Sequence, residues 1–215
     1  AFDRFLMGIE EYPAAYESYL GLIELIKAEE HVDDYRRGLV DINASAYAPG
    51  IEAFLAYIDA NPEEYKADAH LYLALSYEAL GDPESDFAEL DQYAAREPSD
   101  GLFEQAKMHA RAVDYETAVT LYQQFVEDYA DSEDALFASW QLAALTADLG
   151  DAAAIDYYVA LADTYPEHED APEALYRAGQ LAAANEDQET AYLLWMRAAE
   201  EYPSTLYGSA ALLDI

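Results

Sequence analysis

Five positions, Pro62, Pro98, Ala130, Pro166 and Pro203, follow one another at spacings of 36, 32, 36 and 37 residues, and each closes the same pattern of side chains. Twelve residues before each stands Gly50, Asp86, Ala118, Ala154 or Ala191, and eleven before stands Ile51, Phe87, Val119, Ile155 or Tyr192. Eight before come Phe54, Leu90, Tyr122, Tyr158 and Trp195; four before, Ile58, Ala94, Val126, Ala162 and Ala199. The last place before the anchor holds Asn61, Glu97, Tyr129, Tyr165 and Tyr202. These offsets trace one stripe of an α-helix. The small residue lets a neighbouring helix approach, the bulky one a turn later fills the space between, and a proline after the last turn stops the helix. Only Asp86 breaks the small-residue column.

Another helix precedes each of these, joined by a tight turn: Leu80-Gly81-Asp82-Pro83, Val113-Asp114-Tyr115, Leu149-Gly150-Asp151 and Asn185-Glu186-Asp187. Gly81 and Gly150 suit a left-handed helix C-terminus, and Asp82, Asp114 and Asp151 suit the cap of the helix that follows. Pro83 then occupies a first-turn position, where its missing N–H is no loss. The unit is helix, turn, helix. An isolated pair cannot cover its own apolar face, so the pairs must stack.

The pattern resembles the tetratricopeptide repeat. Over Asp68 to Pro98, Leu73, Ala74, Tyr77, Gly81, Leu90 and Pro98 stand where that family has its Leu, small residue, Tyr, Gly, aromatic and Pro; the last copy matches through Gly179, Ala191, Trp195 and Pro203. The resemblance covers about residues 33 to 203 and implies an all-α fold, an α-α superhelix or solenoid of antiparallel helix pairs. It departs from the family at the third small position of the second helix, held here by Tyr57, Tyr93, Phe125 and Leu161. The expected organisation is one solenoid over residues 1–215, with an irregular or inserted helix at about 14–32 that ends in a break at His31–Asp34. Before Pro13 the second-helix columns hold Ala1, Phe2, Phe5, Ile9 and Tyr12, and a further first helix begins after Pro203. With neither end carrying a polar cap, the reading expects a piece of a longer chain.

The Tyr-Pro helix ends, and the stretch through Trp195, Ala198, Ala199, Tyr202, Pro203, Tyr207, Gly208 and Ala211, resemble two extracytoplasmic groups. One is the superhelical region of soluble lytic transglycosylases; the other is the envelope-assembly proteins with tetratricopeptide repeats. The first implies a scaffold beside a catalytic domain outside this chain, with peptidoglycan as a partner. Both imply a periplasmic, envelope or secreted location.

Charge narrows the partners. With 45 Asp+Glu against 10 Lys+Arg, the formal net charge is -35. Such a field repels phosphate backbones and anionic lipid, which excludes nucleic acid and favours a basic protein or peptide. The same charge also serves simply as a solubilising surface. No apolar run is long enough for direct membrane insertion. The absence of cysteine removes thiol catalysis, thiolate zinc sites and disulfides.

The four histidines, His31, His70, His109 and His168, include no pair at i, i+4 and no HExxH. Glu167-His168-Glu169-Asp170 reads as a polar helix entry. No Gly-rich phosphate loop, nucleophile elbow or basic patch with interleaved aromatics is present, so the reading implies no enzyme, no cofactor and no metal. By the register of the resemblance, Asp68, Glu78, Lys107, Trp140, Glu173, Tyr176 and Gln180 on first helices face the inner, concave side. A strip of aromatics and carboxylates there would hold an extended basic peptide or a glycan strand. The alternative is that Trp140 and Tyr176 pack between helices while the acids face solvent. A clamp for a peptide's terminal carboxylate, which needs inner Lys, Arg and Asn, is absent.

Overall fold

The computed structural model describes residues 2–215; Ala1 lies outside the described residues, as does its place in the small-residue column. Among the described residues there are thirteen helices and no strand. They are α1 (Phe2–Glu11), α2 (Tyr16–Lys27), α3 (Asp34–Asn43), α4 (Tyr47–Ala60), α5 (Asp68–Leu80), α6 (Pro83–Arg96) and α7 (Pro98–Arg111). The remainder are α8 (Tyr115–Asp128), α9 (Ala135–Asp148), α10 (Ala153–Thr164), α11 (Ala171–Ala184), α12 (Gln188–Glu201) and α13 (Leu206–Asp214). The chain forms two compact units, the first closing at Gly101 and the second running Leu102–Ile215.

Within each unit consecutive helices pack against one another, and first helices also touch past the second helix between them: α3 meets α5, and α11 meets α13. That is the stacking of helix pairs the repeat requires. Its seam is a small residue under a large one. A Cβ on Gly38 of α3 would lie 2.6 Å from the Phe54 ring of α4, and one on Gly179 of α11 would lie 2.4 Å from Trp195 of α12. The partner ring stands the same distance along the chain in both pairs. In the first unit Phe54 is fully buried, edge-on to Tyr35 at 5.6 Å and stacked on Tyr72 at 5.3 Å. In the second, Tyr122, Phe125, Tyr158, Leu161 and Leu175 form the fully buried layer. Three of the bulky departures from the repeat pattern, Tyr93, Phe125 and Leu161, are buried, and Tyr57 lies against Tyr35 at 5.1 Å.

The turns follow from their residues. Gly81 and Gly150 are left-handed, with φ of 75° and 73°. Asp33, Asp82, Asp114 and Asp187 accept from the backbone N–H three residues on, at 3.1, 3.3, 3.4 and 3.0 Å, and so satisfy a donor that the first turn leaves unpaired. Asp151 differs from its expected role. It accepts from Ala153 N–H at 2.9 Å, two residues on, so it forms an Asx turn ahead of α10. Pro98 also does more than stop a helix: it is the first residue of α7, where its fixed φ suits the first turn. The irregular segment is helical over Tyr16–Lys27 and breaks before Asp33, which caps α3.

Val113 and Glu186 occupy the position held by Gly81 and Gly150 in the other turns, with φ of 62° and 63°. For β-branched Val113 this conformation is strained by about 1–2 kcal/mol, and its side chain, 69% exposed, gains nothing from packing. Val113→Gly will therefore stabilise the chain by about 0.5–1 kcal/mol after the entropy cost of glycine, read as a higher urea midpoint with an unchanged slope.

One buried charge stands out. Asp41 of α3 is 3% exposed, and its Oδ2 lies 3.7 Å from Arg37 Nε, beyond hydrogen-bonding distance. Burial pushes its carboxyl up to about 6, and the attraction of Arg37 offsets this only in part.

Candidate functional site on the first helices

In the second unit Trp140 of α9 and Glu173, Tyr176 and Gln180 of α11 fall around a residue the sequence reading left out, Arg177. Its guanidinium lies 5.4 Å from the Trp140 ring centroid and bonds Glu173 at 2.7–2.8 Å. Trp140 meets the buried Tyr158 edge-on at 5.6 Å. Burial works against the charge on Arg177, but its bonds to Glu173 and Tyr158 outweigh that and hold it above its ordinary value. Burial also raises the Tyr158 phenol, although Arg177 beside it pulls the other way.

Tyr176 donates to Asp214 of α13 at 2.7 Å, and its ring lies 5.7 Å from that of Tyr207. The bond to Asp214 raises the Tyr176 phenol, and Glu173 does the same for Tyr207. Gln180 is exposed and lines an open cleft of about 240 Å³ with Asp148, Tyr158, Arg177 and Leu181. The result is a face of half-buried rings and four carboxylates, Asp148, Asp170, Glu173 and Asp214, whose one guanidinium is already engaged by Glu173. Such a face can accept hydrogen bonds and stabilise a cation. Trp140 and Tyr176 thus pack between helices and also border this face.

The other candidates lie apart from this group. Asp68 opens α5 in the first unit and accepts from Tyr35 at 2.7 Å, and the Lys66 ammonium lies 4.1 Å over the Tyr35 ring. Asp68 also lines an open cleft of about 470 Å³ with Lys66, Tyr93, Glu97 and Asp100. Glu78 is half-buried near the end of α5. Lys107 of α7 bonds Glu104 at 2.6 Å and lies 5.1 Å from the Phe103 ring.

Arg177 was missed because the register points to positions, not to the charge that bonds across a turn. A Glu173–Arg177 spacing of i, i+4 was the available signal. Tyr207 and Asp214 had no such signal, since they reach the face from the next first helix.

Three of the four histidines are engaged locally. His70 is buried between Glu89 Oε2 at 2.6 Å and the Tyr65 hydroxyl at 2.9 Å. His109 sits 2.9 Å from Asp114 Oδ2, and His168 3.4 Å from Asp170 Oδ2. Among the described residues no group of three or more His, Asp or Glu is arranged to hold a metal ion, and no helix is long and apolar enough to cross a membrane.

Comparison with known proteins agrees with this architecture. The family model described as tetratricopeptide repeat matches residues 100–132, the α7–α8 pair, which follows the copy with the fullest set of motif residues. No curated protein matches the chain. A crystal structure of MamA aligns over 78% of this chain and 89% of its own, at a TM-score of 0.58 and 15% identity. The structure of YrrB, described as a TPR protein with an unusual peptide-binding site, aligns over 99% of this chain and 100% of its own, at a TM-score of 0.54 and 16% identity. At such identities the likeness is one of fold. The chain is tetratricopeptide-like, an all-α fold of stacked antiparallel helix pairs.

Proposed function

We propose that the chain is a non-catalytic scaffold that binds a protein or peptide segment carrying cationic side chains, seated on the first helices α9, α11 and α13. One observation carries this reading: Trp140, Tyr176 and Tyr207 share a face with Asp148, Glu173 and Asp214, and the only guanidinium among them is spent on Glu173. A Lys or Arg side chain laid there gains the Tyr176 and Tyr207 rings and the Asp148 and Asp214 carboxylates while Arg177 stays on Glu173. The surrounding charge of -35 adds long-range attraction and a steep salt dependence. The peptide-binding site described for YrrB supports the class of ligand.

Net charge alone would attract any polycation, so the test must separate the face from the field. A fluorescent Arg/Lys-rich dodecapeptide is titrated by anisotropy against the parent, Gln180→Lys and Gln92→Lys. Both substitutions fall on exposed residues and change the net charge equally. Gln180→Lys is expected to weaken binding about tenfold, since a like charge a few ångströms away costs about 1–2 kcal/mol at a protein surface. Gln92→Lys is expected to leave it within about twofold. Equal losses in the two variants would reduce the interaction to bulk electrostatics and end the proposal.

A further inference from the structure

The second unit holds an apolar cleft away from the first-helix face. Its walls are Val126 of α8, Ala130 in the turn that follows, Ser139 and Leu142 of α9, Tyr157, Ala160, Leu161 and Thr164 of α10, and Tyr165 at its C-terminal cap. Its volume is about 250 Å³. Three polar groups in the wall are engaged by the protein itself. Ser139 donates to Ala135 C=O at 2.7 Å, Thr164 donates to Ala160 C=O at 2.7 Å, and Tyr157 donates to Gln123 Oε1 at 3.3 Å. What faces the cleft is therefore mostly hydrocarbon and aromatic ring.

One repeat further on, the same register carries different side chains. Leu175 stands where Ser139 does and is fully buried, and Pro166 replaces Ala130. There the hydroxyl of Tyr202, the counterpart of Tyr165, donates to Pro166 C=O at 2.9 Å. The two registers are filled differently: Ser139 and Ala130 are smaller than Leu175 and Pro166, while Leu142 and Val126 are larger than their counterparts Ala178 and Ala162.

The geometry points to this cleft as a docking pocket for a single aliphatic or aromatic side chain of a protein partner, in a segment where that residue is flanked by Lys or Arg. The volume is below the range of small-molecule sites and exceeds the roughly 150 Å³ that holds a benzene ring, so it suits one side chain. Charge complementarity fixes the flanks: Glu127, Asp131 and Asp156 are exposed on the same stretches of α8, its following turn and α10. An apolar anchor ringed by charge is the usual form of an interaction hot spot. This pocket is separate from the first-helix face and does not depend on the reading given for it.

The test uses two peptides, acetyl-Lys-Lys-Gly-Leu-Gly-Lys-Lys-amide and its Ala counterpart, titrated into the full chain and followed by methyl and amide NMR shifts. The parent is expected to bind the Leu peptide about tenfold tighter than the Ala peptide, because several methylenes leave water, with shifts centred on Val126, Leu142 and Leu161. Ser139→Leu, which copies Leu175, is expected to erase that preference while its melting temperature stays at or above the parent's. Ala160→Leu fills the cleft from the α10 side and is expected to do the same, which covers a failure of Ser139→Leu to fold. Gln180→Lys lies outside the cleft and is expected to leave the shifts at Val126, Leu142 and Leu161 and the preference for the Leu peptide in place. Equal affinities for the two peptides in the parent, or a preference that survives both filling variants, would overturn the assignment and leave a packing gap.

Discussion

Gly179→Ala will lower the stability of the second unit by about 2 kcal/mol, seen as a melting transition about 4–8 °C lower. The added methyl would stand 2.4 Å from Trp195 Nε1 and 2.6 Å from its Cδ1. A flexible side chain could yield, but Trp195 is 9% exposed and its indole donates to Tyr176 C=O at 3.3 Å. Moving the ring therefore breaks a bond and opens the α11–α12 seam. A paired variant makes the cause explicit. Trp195→Leu costs stability alone, but combined with Gly179→Ala it should lose less than the two costs added, because the smaller side chain leaves room for the methyl. Additive losses in that double-mutant cycle, measured by urea denaturation, would show that close helix approach is not what Gly179 provides.

Asp41→Asn is expected to stabilise the chain by about 3 kcal/mol at pH 7.5 and by almost nothing at pH 4. The folded carboxyl is held at about 6 by burial, against roughly 3.9 in an unfolded chain. Folding therefore favours the protonated form. The stability linked to this group is fully present below pH ~4 and lost as pH rises through about 6, when a carboxylate must be held at a site 3% exposed. Asn keeps the shape and removes the charge. The cap aspartates Asp82, Asp114 and Asp187 titrate in the opposite sense: bonds from Ser85, Thr117 and Thr190 hold them below the ordinary range, so their contribution is lost on acidification. Because they are common to both proteins, the difference between parent and variant isolates Asp41. A gap that is absent at pH 7.5, or that widens toward pH 4, contradicts the assignment.

These outcomes bear on how binding and stability are divided in the molecule. The seams at Gly38 and Gly179 are local and repeat the same small-under-large device, so they set the stack without involving the exposed carboxylates. The acidic surface is then free to serve a partner. Ser139 and Gln180 can each be changed without touching a seam, which lets the two proposed contacts be probed separately.

The all-α repeat, the order of helix pairs and the turn at Gly81 were legible in the sequence because each depends on residues close along the chain. A helix stripe shows in the spacing from Gly50 to Ile58, a left-handed turn in one glycine, and a cap in an aspartate three residues ahead of its partner. Even the pairing of Gly179 with Trp195 lies within one helix-turn-helix. The candidate face was legible only as single positions: Trp140, Glu173, Tyr176 and Gln180 could be assigned to first helices, but not the way Arg177 draws them together. Asp41 gave no warning either, since burial of a charge depends on what packs over it. The cleft beside Ser139 was beyond the sequence for the same reason. Ser139 and Leu175 look like ordinary variation in one column until the walls from α8, α9 and α10 surround the difference. Side-chain period and turn chemistry specify the repeat; which surfaces stay open is decided by volumes and charges that meet only when successive repeats stack.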